Sequence, residues 1–153
     1  MAGAGGQLEE ALEQLGKTLA DRETAHGEGL EAARATATAL HARVAAALEH
    51  YHSAVEAGGA PQLRVELTPP RVDEKHVRSY EFDLRRGRHR GLFVLKSRGE
   101  LTLVGPFRTG KSEGPCRSFP LDAGGLVEGE ALSEIDRALV EFISSFLEEA
   151  ATP

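Results

Sequence analysis

With 153 residues, 41% of them hydrophobic and 27% charged, the chain is sized for one globular core rather than two, and its apolar fraction excludes a wholly disordered protein. Only 5% of residues are aromatic and none is Trp, so the core is expected to be aliphatic. The net charge of -6 hides a segregation: residues 1–60 carry 4 basic and 9 acidic residues, residues 61–120 carry 13 and 7, and residues 121–153 carry 1 and 8. A basic middle between acidic flanks is an argument about partners, not about fold.

Residues 1–6 are rich in Gly and Ala and are expected to be disordered. From there the apolar positions run Leu8, Leu12, Leu15 and Leu19, then resume as Leu30, Ala33, Ala37, Leu40, Val44, Ala47, Tyr51 and Ala54. Alternating steps of four and three are the period of a coiled-coil seam, so residues 7–57 are read as a helical region that self-associates. Between the two stretches, Asp21 to Gly29 places polar residues at seam positions and includes two glycines. Each Gly costs about 1 kcal/mol against Ala inside a helix, so the segment is either a phase shift in one long helix or the turn of a helical hairpin. The longer stretch, with Leu30, Ala33, Ala37, Leu40, Val44, Ala47 and Tyr51, is the expected seam of a homo-oligomer, a dimer being favoured, and its alanines would let two backbones approach closely.

Gly58-Gly59-Ala60-Pro61 ends the helix, and the pattern switches to period two. Leu63, Val65 and Leu67 alternate with Arg64 and Glu66 before Pro69-Pro70; Tyr80, Phe82 and Leu84 alternate with Glu81, Asp83 and Arg85. In both, one face should enter a core and the other face water, which makes Glu81 and Asp83 solvent-facing. Strands at Leu92–Leu95 and Leu101–Val104 flank Ser97-Arg98-Gly99-Glu100, read as a hairpin turn, and a last strand is expected near Cys116–Leu121. After Gly124-Gly125 a helix should start near Leu132, with Ser133 and Asp136 at capping-box spacing. Its stripe, including Ile135, Leu139, Val140, Phe142, Ile143, Phe146 and Leu147, is broader than the N-terminal seam and suits a helix lying on a sheet. The fold class is therefore α+β. A long coiled-coil-like helix or hairpin over 7–57 precedes an α+β core over 58–153, made of a four- to five-stranded antiparallel meander and a C-terminal helix packed on it.

Gly105-Pro-Phe-Arg-Thr-Gly110-Lys111-Ser112 matches the phosphate-loop pattern G-x-x-x-x-G-K-[ST]. That chemistry needs a helix opening at the Lys-Ser, whereas Glu113-Gly114-Pro115 cannot begin one and the neighbouring strands read as antiparallel hairpins; no nucleotide or other cofactor is expected. The arginines Arg85, Arg86, Arg88, Arg90 and Arg98 are the expected partner-binding residues, since guanidinium groups grip carboxylates or phosphates through paired hydrogen bonds. An acidic protein partner is expected first and nucleic acid second. Local ion pairing with the acidic flanks competes with both. No aromatics interleave with the arginines on an exposed face, which is what base stacking would need. No catalytic or metal site is expected: His50 and His52 point to different helix faces, and Cys116 has no partner to activate it. The chain is thus read as a non-enzymatic oligomeric adaptor or scaffold. One Cys, no leader-like start and no membrane-length apolar run give a cytoplasmic expectation, and an Arg-, Ala- and Gly-rich composition suggests a bacterial source.

Overall fold

A computed structural model describes residues 4–73, 75, 77–110, 114–121 and 130–151. Helix α1 spans Ala4–Ala57 without interruption. Of the two expectations for residues 21–29, the continuous helix is therefore the one found, and residues 4–6, expected to be disordered, are helical. Gly29 serves approach rather than reversal. A Cβ on Gly29 would lie 2.1 Å from the Ser97 carbonyl oxygen, so Gly29 is the point at which the sheet meets the helix backbone.

A short 3-10 helix, Pro61–Leu63, leads into β1 (Glu66–Leu67) and β2 (Arg71–Val72). These two short strands share one edge of β3 (Ser79–Arg86), both antiparallel to it. The Leu63–Leu67 alternation becomes a helical turn plus two strand residues because Pro61 opens a 3-10 turn, and β2 lies beyond the Pro69-Pro70 stop. The meander then runs β3, β4 (His89–Lys96), β5 (Glu100–Arg108) and β6 (Cys116–Pro120), each antiparallel to the last. Helix α2 (Glu130–Ala151) closes the fold, and the helices contact the same sheet, α1 over β3 and β4, α2 over β4 and β5. Because α2 begins at Glu130, Ser133 lies inside the helix rather than before it.

Strand register explains the core. Phe82 pairs with Phe93 and Phe93 with Leu103; Tyr80 pairs with Leu95, Leu95 with Leu101, and Leu101 with Phe119. Their shared face is the one both helices cover. The Phe82 and Phe93 rings stack at 4.6 Å, and Phe142 of α2 meets Phe93 edge-on at 5.2 Å. Gly91 makes room for that ring, since a Cβ there would come within 3.1 Å of Phe142. From α2 the buried residues are Ile135, Ala138, Leu139, Phe142, Phe146 and Ala150, with Val140 turned to solvent.

From α1 the buried residues are Ala33, Ala37, Leu40, Val44 and Leu48, all members of the same apolar cluster as the sheet and α2. This corrects the expected seam. Ala33, Ala37, Leu40 and Val44 spend their apolar surface on the sheet of their own chain, Leu30 and Tyr51 are half-buried, and Ala47 is exposed where Leu48 is buried. The reason is periodic. A straight helix on a sheet drifts by about 20° per heptad from a strict coiled-coil repeat, so the buried row steps from Val44 to Leu48 instead of Ala47. The core therefore extends across residue 57, and residues 33–48 belong to it as much as residues 58–151 do.

Candidate functional site

Two surfaces stand out, and the first is the N-terminal part of α1. Every residue from Gln7 to Ala25 is exposed, a stretch of roughly 28 Å at the helical rise of ~1.5 Å per residue. Its leucines are open to solvent: Leu8 61%, Leu12 57%, Leu15 50% and Leu19 49%. At about 100° per residue these four positions fall on the same side of the helix as Ala33, Ala37, Leu40 and Val44, so the stripe is the core-facing row continued past the end of the sheet. The boundary is a polar clasp at His26, whose Nε2–H donates to the Val77 carbonyl at 3.0 Å while Nδ1 accepts from the Ser97 hydroxyl at 3.4 Å. Val77 itself carries φ of 51°, a left-handed conformation that costs a β-branched residue strain.

The second surface is basic, and the structure divides the five arginines expected to share a site. Arg85, Arg86, Arg88 and Arg90 lie at the β3–β4 turn, whereas Arg98 sits at the far end of the sheet, where its Nε donates to Glu100 at 2.7 Å. There it lines a cavity of ≈ 360 Å³ with Arg78, Lys96 and Asp73. Of the four at the turn, two are engaged structurally. Arg86 donates to the Ala150 carbonyl at the end of α2 and to the Gln62 carbonyl, tying three segments together. Arg85 Nε donates to Asp83 at 2.5 Å. Among the described residues Arg90 donates to the Gly87 and His89 carbonyls, at 2.7 and 2.9 Å, and to no carboxylate. Arg88 and Arg108 are exposed, and β4–β5 pairing brings Arg108 opposite His89. None of the ion pairs among the described residues involves Arg88, Arg90 or Arg108. These three define the basic pole. Arg108 was not among the expected binding residues; β-pairing, invisible in linear spacing, adds it.

Asp83 corrects the sequence reading most sharply. Expected to face solvent, it is 1% exposed. The Thr68–Arg71 loop folds across the outer face of β3: Thr68 Oγ1 donates to the Asp83 carboxylate at 2.7 Å, and Arg71 lies 2.8 Å from the same oxygen. Thr68 N–H and the Asp83 carbonyl pair at 2.9 Å, and Asp83 N–H donates to Thr68 Oγ1 at 2.9 Å. Burial by itself would raise the carboxyl's pKa; the Arg85, Thr68 and Arg71 hydrogen bonds together outweigh it and hold Asp83 below its ordinary value. The carboxylate is held by Thr68, Arg71 and Arg85 of its own chain, and the cluster braces a loop. At Glu100, desolvation is likewise outweighed, by the Ser118 hydroxyl and Arg98, and its pKa is lowered.

The remaining candidates are scattered. Cys116 is free and exposed. His52 Nε2 accepts from Val65 N–H at 3.2 Å, while His41 is set edge-on to Phe82 with its Nε2 buried and without a hydrogen-bond partner among the described residues. Among the described residues no three His, Cys, Asp or Glu side chains are grouped to hold a metal ion. Of the phosphate-loop match, Gly105 to Arg108 is strand β5 itself and the chain returns antiparallel as β6; Lys111 and Ser112 lie outside the described residues. No helix among the described residues is long and apolar enough to cross a membrane. The acidic flanks do pair with basic partners, but one bond at a time: Arg43 with Asp136 joins α1 to α2 at 2.6 Å, Arg117 with Glu141 joins β6 to α2 at 3.1 Å, and Arg64 with Glu56 holds the turn after α1.

No protein-family model matches the chain, and no curated protein or solved structure matches it either. What the fold and surfaces define is an α+β domain with an apolar helical extension at one end and an arginine-rich sheet end at the other.

Proposed function

We propose that this chain is a non-enzymatic, self-associating adaptor, in which the free part of α1 joins copies and the basic pole of Arg88, Arg90 and Arg108 takes an acidic segment of a partner protein. The observation that carries the reading is the leucine stripe of residues 8–19, four large apolar side chains about half exposed in heptad spacing. A scattered exposed Leu needs no explanation, but a contiguous row on a projecting helix is an interaction surface. Energetics set the strength. Burying the exposed half of a Leu stabilises by about 1 kcal/mol, so eight leucines across two helices supply roughly 8 kcal/mol before the association cost of about 4–15 kcal/mol. At the lower end of that cost the balance is a weak, reversible, concentration-dependent pair rather than an obligate one. Sedimentation velocity across a concentration series tests this: the wild type should shift toward a larger species and Leu12→Glu/Leu15→Glu should remain monomeric with unchanged circular dichroism. A wild type that stays monomeric throughout would refute it.

A second reading, contact with nucleic-acid phosphates, draws support from the same three guanidinium groups, which make no ion pair among the described residues. Phosphate binding by three arginines loses affinity with a log–log salt slope of roughly -2 to -3. Binding to arbitrary duplex or single strands with that slope, lost in Arg88→Ala/Arg90→Ala/Arg108→Ala, would favour this reading over the acidic protein.

A further inference from the structure

We propose that the leucine stripe pairs with the same stripe of a second copy in antiparallel orientation, giving a rod with one sheet near each end and the two basic poles facing away from each other. The inference rests on the proposed self-association and adds the direction of pairing. It follows from the side of the helix on which the stripe lies. Because Leu8, Leu12, Leu15 and Leu19 share the face that Ala33, Ala37, Leu40 and Val44 turn to the sheet, that face is occupied by the chain's own sheet beyond His26. Two helices running parallel and in register would aim both sheets into the single space between them. An antiparallel pair carries each sheet away from the contact: with Leu8 against the partner's Leu19, the partner's α1, which starts at Ala4, ends level with Glu23, short of His26 and the sheet's edge.

The flanking charges permit that direction. In the symmetric antiparallel register, Leu8 lies against the partner's Leu19 and Leu12 against the partner's Leu15. The residues flanking the seam are then Glu9 beside the partner's Gly16 and Ala11 beside the partner's Thr18, so no two like charges face each other at the contact. Glu10, Glu13 and Lys17 fall on the outward side, with Glu13 and Lys17 already paired along the helix at 3.6 Å. Small flanking residues also let the two backbones approach closely enough for leucines of moderate number to interlock.

Geometry then fixes the separation of the poles. β3 runs beside α1 from the His26–Val77 contact toward Arg86, which reaches the Gln62 carbonyl next to Leu63, and Leu63 accepts from Tyr51 Oη–H at 2.9 Å. The basic pole is therefore level with about residue 51. Counting along two antiparallel helices in the stated register places the poles roughly 110 Å apart at ~1.5 Å per residue. Such a particle presents two acid-binding ends to separate partners and cannot bring both onto one small target.

Directional cross-linking is decisive. In a Cys116→Ser background, Leu12→Cys and Leu15→Cys chains are oxidised separately and as a mixture, at concentrations where the parent protein sediments as a pair. The inference expects the disulfide-linked species only in the mixture, at least tenfold above either variant alone. Same-residue cross-links in each separate sample would overturn the direction while leaving self-association intact. A parent protein that is monomeric at every concentration would overturn both. X-ray scattering of the unmodified protein supplies a readout independent of the substitutions: the antiparallel rod should have a maximum dimension of roughly 130 Å, against ~80 Å for the single chain. A dimer no longer than ~80–90 Å would contradict the rod.

Discussion

Residues 7–25 and 33–48 of α1 share one helix, one side of it and nearly one spacing, yet the first row is open to solvent and the second is the floor of the core. Periodicity alone does not tell a helix what it will pack against. Heptad-like spacing is satisfied equally by another helix and by a sheet, and what separates the two stretches is small-residue content: Ala33 and Ala37 let the sheet come close, and Gly29 admits the Ser97 carbonyl where a methyl group would collide. The leucine-only row has no such concession to a sheet. It keeps the bulk that a helix partner needs.

Removing the second row should produce the largest effect. A fragment of residues 58–153 uncovers Phe82, Leu84, Phe93 and Leu95 and should be molten or insoluble, whereas residues 27–153, which keep the whole buried row, should give a sharp thermal transition. A well-folded 58–153 fragment would show that α1 is accessory to the core after all. Single substitutions make the same contrast. Leu40 is fully buried, so Leu40→Ala should cost about 3–4 kcal/mol in denaturant unfolding, while Leu15→Ala should change the stability of the single chain by less than ~0.5 kcal/mol. Equal costs would erase the distinction.

Asp83 sharpens it from the other face of the sheet. Asp83→Asn removes the carboxylate that Arg71 and Arg85 share, Arg71 keeping Glu81 at 3.4 Å; both arginines are partly solvated, at 39% and 40% exposure, so the expected loss is about 1–3 kcal/mol rather than that of a fully buried broken pair. Because the folded pKa lies below the ordinary value of 3.8, the contribution is complete above that pH and disappears as pH falls through the lower folded value. Stability measured from pH 6 downward should therefore fall below about pH 4 in the wild type and less steeply in Asp83→Asn. Parallel acid limbs would remove Asp83 from the explanation. The smallest effects belong to the glycines. Gly16 and Gly27 meet no neighbour within 4 Å, so alanine there should stabilise the helix by up to ~1 kcal/mol, whereas Gly29→Ala should destabilise despite the same gain in helix propensity.

Much of the fold was legible because it is carried by local periodicity. The strands at Tyr80–Arg85, Leu92–Leu95, Leu101–Val104 and Cys116–Leu121, their antiparallel order and the broad stripe of α2 all appear at their expected places. Tertiary choices were less legible. Alternation assigned Asp83 to water because it cannot register a loop, Thr68–Arg71, returning over the outer face; the nearest signal is Arg85, two residues on and on the same face. A strict seven-residue repeat selects Ala47, whereas a straight helix turns Leu48 to the sheet. The arginines formed one cluster in sequence, but β4 carries Arg98 to the opposite end of the sheet and brings in Arg108 from β5.

Amide hydrogen exchange along α1 tests the division of the helix most directly, because it reads both stretches in one molecule under one condition. In dilute protein, amides of residues 33–48 should open only with global unfolding, while those of residues 7–25 should exchange at least a hundredfold faster and become slower as protein concentration rises. Uniform protection from residue 7 to residue 48 that does not change with concentration would contradict the division, and with it the free stripe on which the proposed function depends.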